Sequence, residues 1–282
     1  MKAFISVDLE GMPYVVIPGH LNLKGSLYGE ARKITTEITL IVAKELHKNG
    51  FDQIIIADSH GPMVNLLVDD LPEYVEIVRG NLRPTSMVAG VEGCDVALFL
   101  GYHAKYGTAR STFDHTYSGG CVHKILVNGV EASEFILNSY VAGEYGVPSV
   151  LVAGDKQLME DDVKVLTPWV EQVVLKESLS RLAAKSPSMI KIKENLKIAV
   201  NKAVINHSEN NVKPLIATTP VKINLTLKSS EQTDAVSLLP FVERLSGLEI
   251  EYTSKNMVEA YNSFQAIVYI ASAASASMSR MT

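Results

Sequence analysis

The sequence predicts an α/β fold, in which a three-layer domain with a largely parallel sheet is followed by a second, smaller α+β domain. In the first half of the chain, short apolar runs alternate with longer segments of helical periodicity, which is typical of a parallel sheet covered by helices. After about residue 160 the composition changes. We therefore expect one domain over 1–160 and another over 161–282, with enough chain for a large core.

The elements of the first half follow from their periodicity. Residues 2–9 are rich in apolar and β-branched side chains, and the segments 54–57, 95–100 and 149–155 contain apolar runs of the kind found in strands buried on both faces. Residues 26–48 place apolar side chains on one helical face, and Gly50 follows where a helix ends. The remaining elements predicted here are a strand over 76–78, a hairpin over 121–129 and a helix over 132–144.

The second half contains a strand-helix-strand-helix unit. Residues 221–227, with the sequence VKINLTL, alternate between apolar and polar side chains and predict a half-buried strand. The other elements predicted here are helices over 178–203, 230–239 and 256–274 and a strand over 248–252. Because this half lacks a cluster of acids and histidines, we expect it to shape access or assembly rather than to carry the chemistry.

Composition excludes several classes of protein. The net charge of −5, without a basic cluster, argues against nucleic-acid binding. The two cysteines, Cys94 and Cys121, form no C-x-x-C pair, which argues against both a disulfide framework and a thiolate metal site. The amino terminus lacks a signal-peptide pattern, and no apolar run reaches membrane-spanning length. We therefore expect a cytoplasmic protein that does not bind membranes.

Acids and histidines follow the predicted strands at their carboxyl ends. Because parallel strands present these ends at one edge of a sheet, where ligands bind, we expect these side chains to converge. Asp8 and Glu10 lie on the same side of an extended chain, about 7 Å apart. Two buried acids so close together repel each other, and a divalent metal ion between them removes the repulsion. The residues at the strand ends are Asp8, Glu10, Asp58, His60, His103 and Asp155.

The available ligands suit a pair of zinc ions. Zinc binds histidine nitrogen and carboxylate oxygen, and two ions about 3.5–4 Å apart need a bridging carboxylate. Asp8 is the candidate bridge, since Glu10 on the same face can serve one ion together with His60. His103 can serve the other ion, and the helix that carries both Glu131 and Glu134 can supply a further carboxylate. The absence of thiolates favours zinc, with manganese or cobalt as alternatives.

His115 lies apart from the strand ends, in a glycine-flanked segment. Near a metal pair, such a histidine suits general acid or base catalysis or the stabilisation of an oxyanion, and the alternative is an exposed loop histidine. Ser59 is adjacent to His60 but lacks a G-x-S-x-G motif, which argues against a serine hydrolase. Asp58 is expected to support a ligand histidine rather than to bind metal.

Six separated motifs contain most of these residues. In chain order they are SVDLEG at 6–11, ADSH at 57–60, LGYHAK at 100–105, DHT at 114–116, SEFILNSYVAG at 133–143 and VAGD at 152–155. Together they resemble the zinc-dependent D-aminopeptidase family, whose members are also labelled dipeptide transport proteins. The resemblance implies two zinc ions per subunit, with Asp8 bridging them. Glu10 and His60 would complete one site, His103 and Glu134 the other, and His115 would be the catalytic residue.

The resemblance also has consequences for fold and assembly. It implies an α/β amino-terminal domain with a smaller second domain, and a ring-shaped homo-oligomer, a decamer of two stacked pentamers that encloses the active sites. One departure from the family pattern is Asp114, directly before His115. An acid at this position would raise the basicity of His115 or alter the substrate pocket.

These observations lead to one principal hypothesis and two alternatives. The principal hypothesis is a dinuclear zinc aminopeptidase that removes the N-terminal residue of short peptides, in particular those that begin with a D-amino acid. The first alternative is a metal-dependent phosphoesterase, for which Lys105 and Arg110 are the candidate anion-binding residues. The second is a non-catalytic peptide-binding component.

Overall fold

A seven-stranded sheet, sheet A, organises the fold of the computed structural model, which describes residues 1–278. Its strands are β1 (Lys2–Val7), β2 (Gln53–Asp58), β3 (Val75–Val78), β4 (Val96–Tyr102), β7 (Ser149–Asp155), β8 (Glu171–Ser180) and β9 (Ala183–Lys185). Their order across the sheet is β3-β2-β1-β4-β7-β8-β9, and only the last pair is antiparallel. Because β1 lies between β2 and β4, the carboxyl ends of these three strands are neighbours.

A second sheet, sheet B, is antiparallel. It contains β5 (Val122–Val127), β6 (Val130–Glu131), β10 (Val221–Leu227), β11 (Glu243–Arg244) and β12 (Glu249–Ser254). The strand order is β11-β12-β10-β5-β6. The hairpin predicted over 121–129 therefore forms, and it joins the strand that alternates over 221–227.

The helices are α1 (Tyr28–Lys48), α2 (Glu134–Glu144), α5 (Met189–Ser208), α6 (Ser230–Val236) and α7 (Met257–Met278). Two short helical segments, α3 (Lys156–Leu158) and α4 (Lys164–Leu166), lie on either side of a π-helical turn, Met159–Val163. None of the helices in residues 1–278 combines the length and hydropathy that a membrane crossing requires.

Sheet A is covered on both faces, which explains its continuous apolar strands. Alternate residues of β1 enter different core clusters: Ile5 packs in the cluster that contains residues of α1 and α5, and Phe4 in the cluster that contains α2, α7 and sheet B. Period-2 alternation of side chains sends neighbouring residues to opposite faces in this way. The layers are thus α1 with α5, sheet A, and a mixed layer of helices and sheet B. This arrangement confirms the predicted α/β class, and sheet B is a second, smaller sheet.

The two sheets do not divide at residue 160. Sheet B takes β5 and β6 from the first part of the chain, whereas sheet A takes β8 and β9 from the second. The domain boundary at 160 stays a prediction, and the last four residues of its second segment, 279–282, lie outside the described residues.

One predicted helix was wrong over its first eleven residues, 178–188. Residues 178–180 end strand β8 and 183–185 form β9, so the helix predicted over 178–203 begins only at Met189. Leu175 is buried on one face of β8 while the neighbouring Lys176 is buried on the other, and a buried lysine hides the strand pattern in the sequence.

Candidate metal centre

Four of the predicted site residues follow three adjacent strands. Asp8 and Glu10 follow β1, His60 follows β2 and His103 follows β4. Neighbouring strands of a sheet lie about 4.8 Å apart, so side chains at their ends reach one another. The structure therefore brings these four residues together at the carboxyl edge of sheet A, where ligands bind in open α/β sheets.

Two glycines allow the ends of β1 and β4 to approach closely. A Cβ atom on Gly101 would lie 2.0 Å from the carbonyl oxygen of Asp8, and one on Gly11 would lie 2.0 Å from that of Tyr102. Gly101 also has a φ of +75°, which side chains rarely adopt. The amide of Gly11 donates a 2.7 Å hydrogen bond to the carbonyl of Gly101. The glycines in SVDLEG and LGYHAK thus hold Asp8 beside His103.

The carboxylate oxygens of Asp8 face two different histidines. Oδ1 lies 3.3 Å from Nδ1 of His60, and that nitrogen is also 2.7 Å from Oε2 of Glu10. Oδ2 lies 3.6 Å from Nε2 of His103, and that nitrogen is also 3.6 Å from Oε1 of Glu134. All five side chains are buried. They form two groups that share Asp8, within each of which the candidate ligand atoms lie within 4.8 Å of one another.

The other ring nitrogen of each histidine is 2.7–3.0 Å from a backbone carbonyl oxygen: Nε2 of His60 from Leu21, Nδ1 of His103 from Ala104, and Nδ1 of His115 from Phe113. A carbonyl oxygen only accepts, so these nitrogens carry the hydrogen. In each neutral ring, the remaining nitrogen then directs a lone pair towards the carboxylates. Hydrogen bonds of this kind orient metal-ligating histidines and fix their tautomer.

This arrangement fits a cation and leaves polar atoms unpaired without one. Within residues 1–278, Oδ2 of Asp8 and Nε2 of His103 are both buried and have no hydrogen-bond partner. Unpartnered polar atoms are costly in a protein interior, and two that face each other at the same place indicate a missing ligand. Histidine nitrogen with carboxylate oxygen is a donor set that zinc accepts.

Burial and mutual charge shift the pKa values of four groups in the centre, Asp8, Glu10, His60 and His103. Burial and the negative charge of Glu10 raise the pKa of Asp8 well above its usual range. Burial also disfavours the charged form of the histidines, but the neighbouring carboxylates outweigh it. Glu10 raises the pKa of His60, and Glu134 raises that of His103 to about 10. The pKa of Glu10 is lowered well below its usual range despite burial, because of the charge and hydrogen bond of His60.

Glu134 enters the centre from the start of α2. Ser133 caps this helix by accepting a hydrogen bond from the amide of Ile136. An ionised carboxylate in the first turn is favoured by the helix dipole. Oε1 of Glu134 also accepts a 2.7 Å hydrogen bond from the amide of Tyr117, which ties α2 to the loop that carries His115. The alternative acid, Glu131, lies in β6 and belongs to none of the candidate groups among the described residues.

His115 lies over the centre in a loop with unusual backbone geometry. Its ring stacks on that of His103 with 4.5 Å between the centroids, and Nε2 is 3.6 Å from Oε1 of Glu134. Both Phe113 and Tyr117 have positive φ angles, of 56° and 61°. Such conformations are uncommon outside glycine and cluster at functional sites. The His115 side chain is 18% exposed, a larger fraction than for any of the five side chains of the two groups that share Asp8. His115 also belongs to a third candidate group, with Glu10 and His103.

Three other acids from the sequence analysis lie outside these groups. The carboxylate of Asp114 pairs with Arg181 and accepts a 2.7 Å hydrogen bond from the amide of Gly107, so its partners lie in the loop and on Arg181. Asp58 accepts from Asn65, which also donates to the carbonyl of His60. Asp58 thus supports the His60 segment through Asn65. Asp155 accepts from Ser178 and from the amide of Gln157.

Sequence reasoning did not identify two contributions to the centre. The buried ammonium group of Lys176 donates to the carbonyls of Glu10 and Val15, beneath the segment that follows β1. A cavity of about 290 Å³ also opens from the centre, and part of its wall comes from α7. Both contributions come from distant parts of the chain, and no motif in the sequence marks either of them.

Comparison with known proteins identifies the family of this chain. The profile of the D-aminopeptidase family matches residues 1–266. A D-aminopeptidase of Bacillus subtilis (strain 168) is 30% identical over 273 residues, covering 96% of this chain and 98% of the relative. A solved structure described as the Zn-dependent D-aminopeptidase DppA from Bacillus subtilis, a self-compartmentalizing protease, superposes with a TM-score of 0.91. It shares 30% identity over 96% of this chain and 98% of that one. This chain belongs to the D-aminopeptidase family.

Proposed function

We propose that this protein is a dinuclear zinc aminopeptidase that removes the N-terminal residue of short peptides beginning with a D-amino acid. The observation that carries the proposal is the position of Asp8 between two groups of ligands, with one oxygen towards His60 and the other towards His103. A carboxylate shared in this way is what a two-metal site requires. The family to which the chain belongs supports the reaction and the preference for D-residues.

The proposed ligands follow from the two groups. Asp8, Glu10 and His60 would hold one zinc ion, and Asp8, His103 and Glu134 would hold the other. The two ions would supply an activated water nucleophile and would polarise the scissile carbonyl. Each group provides histidine nitrogen and carboxylate oxygen, and the Zn-dependent relative supports this choice of metal.

The charges of the centre suit the amino end of a peptide. Three buried carboxylates, from Asp8, Glu10 and Glu134, line the inner end of the cavity. They attract an ammonium group, which an unblocked peptide carries at its first residue. The enzyme would therefore bind free amino termini and act on the first peptide bond.

We propose His115 as the catalytic histidine. With Nδ1 bound to the carbonyl of Phe113, Nε2 is free to hold a proton and to deliver it to the departing amine. This nitrogen lies beside Glu134 and lines the cavity, where it is accessible to a substrate. Asp114 would contribute indirectly, because its pair with Arg181 fixes the loop that presents His115.

The remaining proposals concern organisation. Residues 1–160 would form the catalytic domain, and the second segment would shape access, which α7 supports by lining the cavity. We propose a homo-oligomer, with the ring-shaped decamer as its expected form, in the cytoplasm. The self-compartmentalizing relative supports assembly, as do exposed apolar side chains within residues 238–248, namely Leu238, Phe241, Leu245 and Leu248.

No observation favours the two alternative functions. A phosphoesterase needs cationic side chains beside the metals, but Lys105 pairs with Asp162, and neither Lys105 nor Arg110 is among the described residues that line the cavity. A peptide-binding component has no need of a histidine whose free nitrogen faces the centre.

A paired assay tests the proposal. Purified protein with two zinc equivalents should hydrolyse D-alanyl peptides faster than the L-alanyl isomers, and a chelator should stop the reaction. Hydrolysis that is insensitive to chelator, faster cleavage of a phosphate ester than of any peptide, or tight peptide binding without turnover would overturn it.

A further inference from the structure

One face of α7 forms part of the cavity wall. Four of its residues line the cavity. The other three lie three, four and seven positions after the first, so all four are on the same side of the helix. They are Gln265, Val268, Tyr269 and Ser272. A substrate whose amino end lies among the carboxylates would extend along this face.

Gln265 differs from its polar neighbours on this face in having an unused hydrogen-bonding group. Its carboxamide nitrogen is buried and has no partner among the described residues. By contrast, the hydroxyl of Tyr269 donates a 3.0 Å hydrogen bond to Asn81, and the hydroxyl of Ser272 lies 3.2 Å from the sulfur of Cys121. A buried donor without an acceptor destabilises a protein, and such a group in the wall of a cavity is explained when a ligand supplies the acceptor.

The cavity indicates what that ligand group is. Lysine and arginine are absent from the part of its lining that residues 1–278 provide, so a carboxylate would find no cationic partner there. A carboxamide offers one donor nitrogen and one acceptor oxygen, which match the carbonyl and the amide of a peptide group. The apolar side chains of Met63, Met87 and Val268 in the same wall suit an uncharged substrate.

We propose that Gln265 is a specificity-determining residue that binds the first peptide group beyond the scissile bond, so that substrates carrying this group are preferred to simple amides. This inference rests on the proposed aminopeptidase function. Rotation of the Gln265 side chain would present both its nitrogen and its oxygen to the substrate.

Two substrates of equal charge distinguish binding of this peptide group from a general effect of the substitution on catalysis or folding. D-Alanylglycinamide has a second amide group beyond the scissile bond, whereas D-alaninamide ends at that bond. In Gln265→Leu, kcat/KM for D-alanylglycinamide should fall about three- to tenfold, the range of one lost hydrogen bond, mainly through a higher KM. The value for D-alaninamide should stay within about twofold of wild type, and Gln265→Asn should recover part of the loss.

Ser263→Ala provides the matched control, because Ser263 is half-buried on the same helix and does not line the cavity. It should leave the kcat/KM ratio of the two substrates unchanged. Equal losses for both substrates in Gln265→Leu, or no loss for either, would overturn the inference while leaving the proposed function intact. Failure of the wild-type protein to cleave either substrate would instead refute the proposed function and, with it, this inference.

Discussion

The ammonium group of Lys176, on β8, donates a hydrogen bond to the backbone carbonyl of Glu10, 166 residues earlier in the chain. The same group donates a 2.7 Å hydrogen bond to Val15, so that it fixes both ends of the segment after β1. Burial lowers the pKa of Lys176 to about 8, and nearby Asp155 and Glu10 partly oppose this effect. A lysine this deeply buried at the edge of a metal centre indicates that the segment carrying Glu10 requires internal support.

Replacing Lys176 should therefore weaken metal binding. In Lys176→Met, the carbonyls of Glu10 and Val15 lose their donor, and we expect zinc affinity to fall about 10- to 100-fold, as for other residues that support metal ligands. Competition with a chromophoric chelator measures the affinity. Lys202→Met is the control. Lys202 is an exposed residue of α5, and it pairs with Glu171 on β8, the strand that carries Lys176. Equal affinities in the two variants would contradict this role.

Removing one proposed ligand should remove one ion. His103 belongs to only one of the two groups that share Asp8, so His103→Ala should retain about one zinc per chain where the wild type retains two. Elemental analysis of the purified proteins measures the metal content. His123 is exposed on β5, and His123→Ala should keep both ions. Two zinc ions in His103→Ala would disprove the assignment.

Zinc binding should release protons, and its affinity should rise with pH. The pKa of His103 is raised to about 10 and that of His60 lies well above its usual range, so both rings carry an extra proton at neutral pH in the metal-free protein. Zinc must displace these protons, and the competition weakens as pH rises towards about 10. Calorimetric titrations at pH 7.5 in buffers of different ionisation enthalpy should report at least one proton released per chain. A binding enthalpy that is independent of the buffer would contradict the prediction.

His115 should affect turnover without affecting metal content. Because its proposed role is proton transfer at Nε2, His115→Ala should lower kcat about 10²- to 10⁴-fold and leave KM nearly unchanged. Metal analysis distinguishes this role from ligation, since His115 also lies within reach of Glu10 and His103. Loss of a zinc ion from the variant would place His115 among the ligands.

Amidation of the substrate's carboxyl end should not reduce activity. The cavity lining over residues 1–278 contains acids but neither lysine nor arginine, so a free carboxylate gains no ion pair and is repelled by the acids. We expect kcat/KM for D-alanylglycinamide to equal or exceed that for D-alanylglycine. If a cationic group bound the carboxylate, amidation would instead cost about 2–5 kcal/mol, roughly 30-fold or more.

The sequence predicted which residues lie at the carboxyl edge of sheet A, because each strand that ends there has a recognisable local pattern. The apolar runs before Asp8, His60 and His103 predict buried parallel strands, and parallel strands present their ends at one edge. The residues of that edge could thus be proposed before their distances were known. The hairpin after Lys176 was missed for the opposite reason, since a charged residue in a buried strand contradicts the usual pattern.

What the sequence determined by itself was the fold class and the strand-end residues Asp8, Glu10, His60 and His103, because hydrophobic periodicity and strand-end position are properties of short segments. Glu134 was chosen over Glu131 only by the resemblance to a known family. Only the tertiary structure decided which oxygen of Asp8 faces which histidine, that Asp114 pairs with Arg181, that Lys176 supports the segment of Glu10, and that Gln265 lines the cavity. These relationships join segments that are far apart in the chain, and their geometry is fixed by the packing of whole layers, which no local pattern encodes.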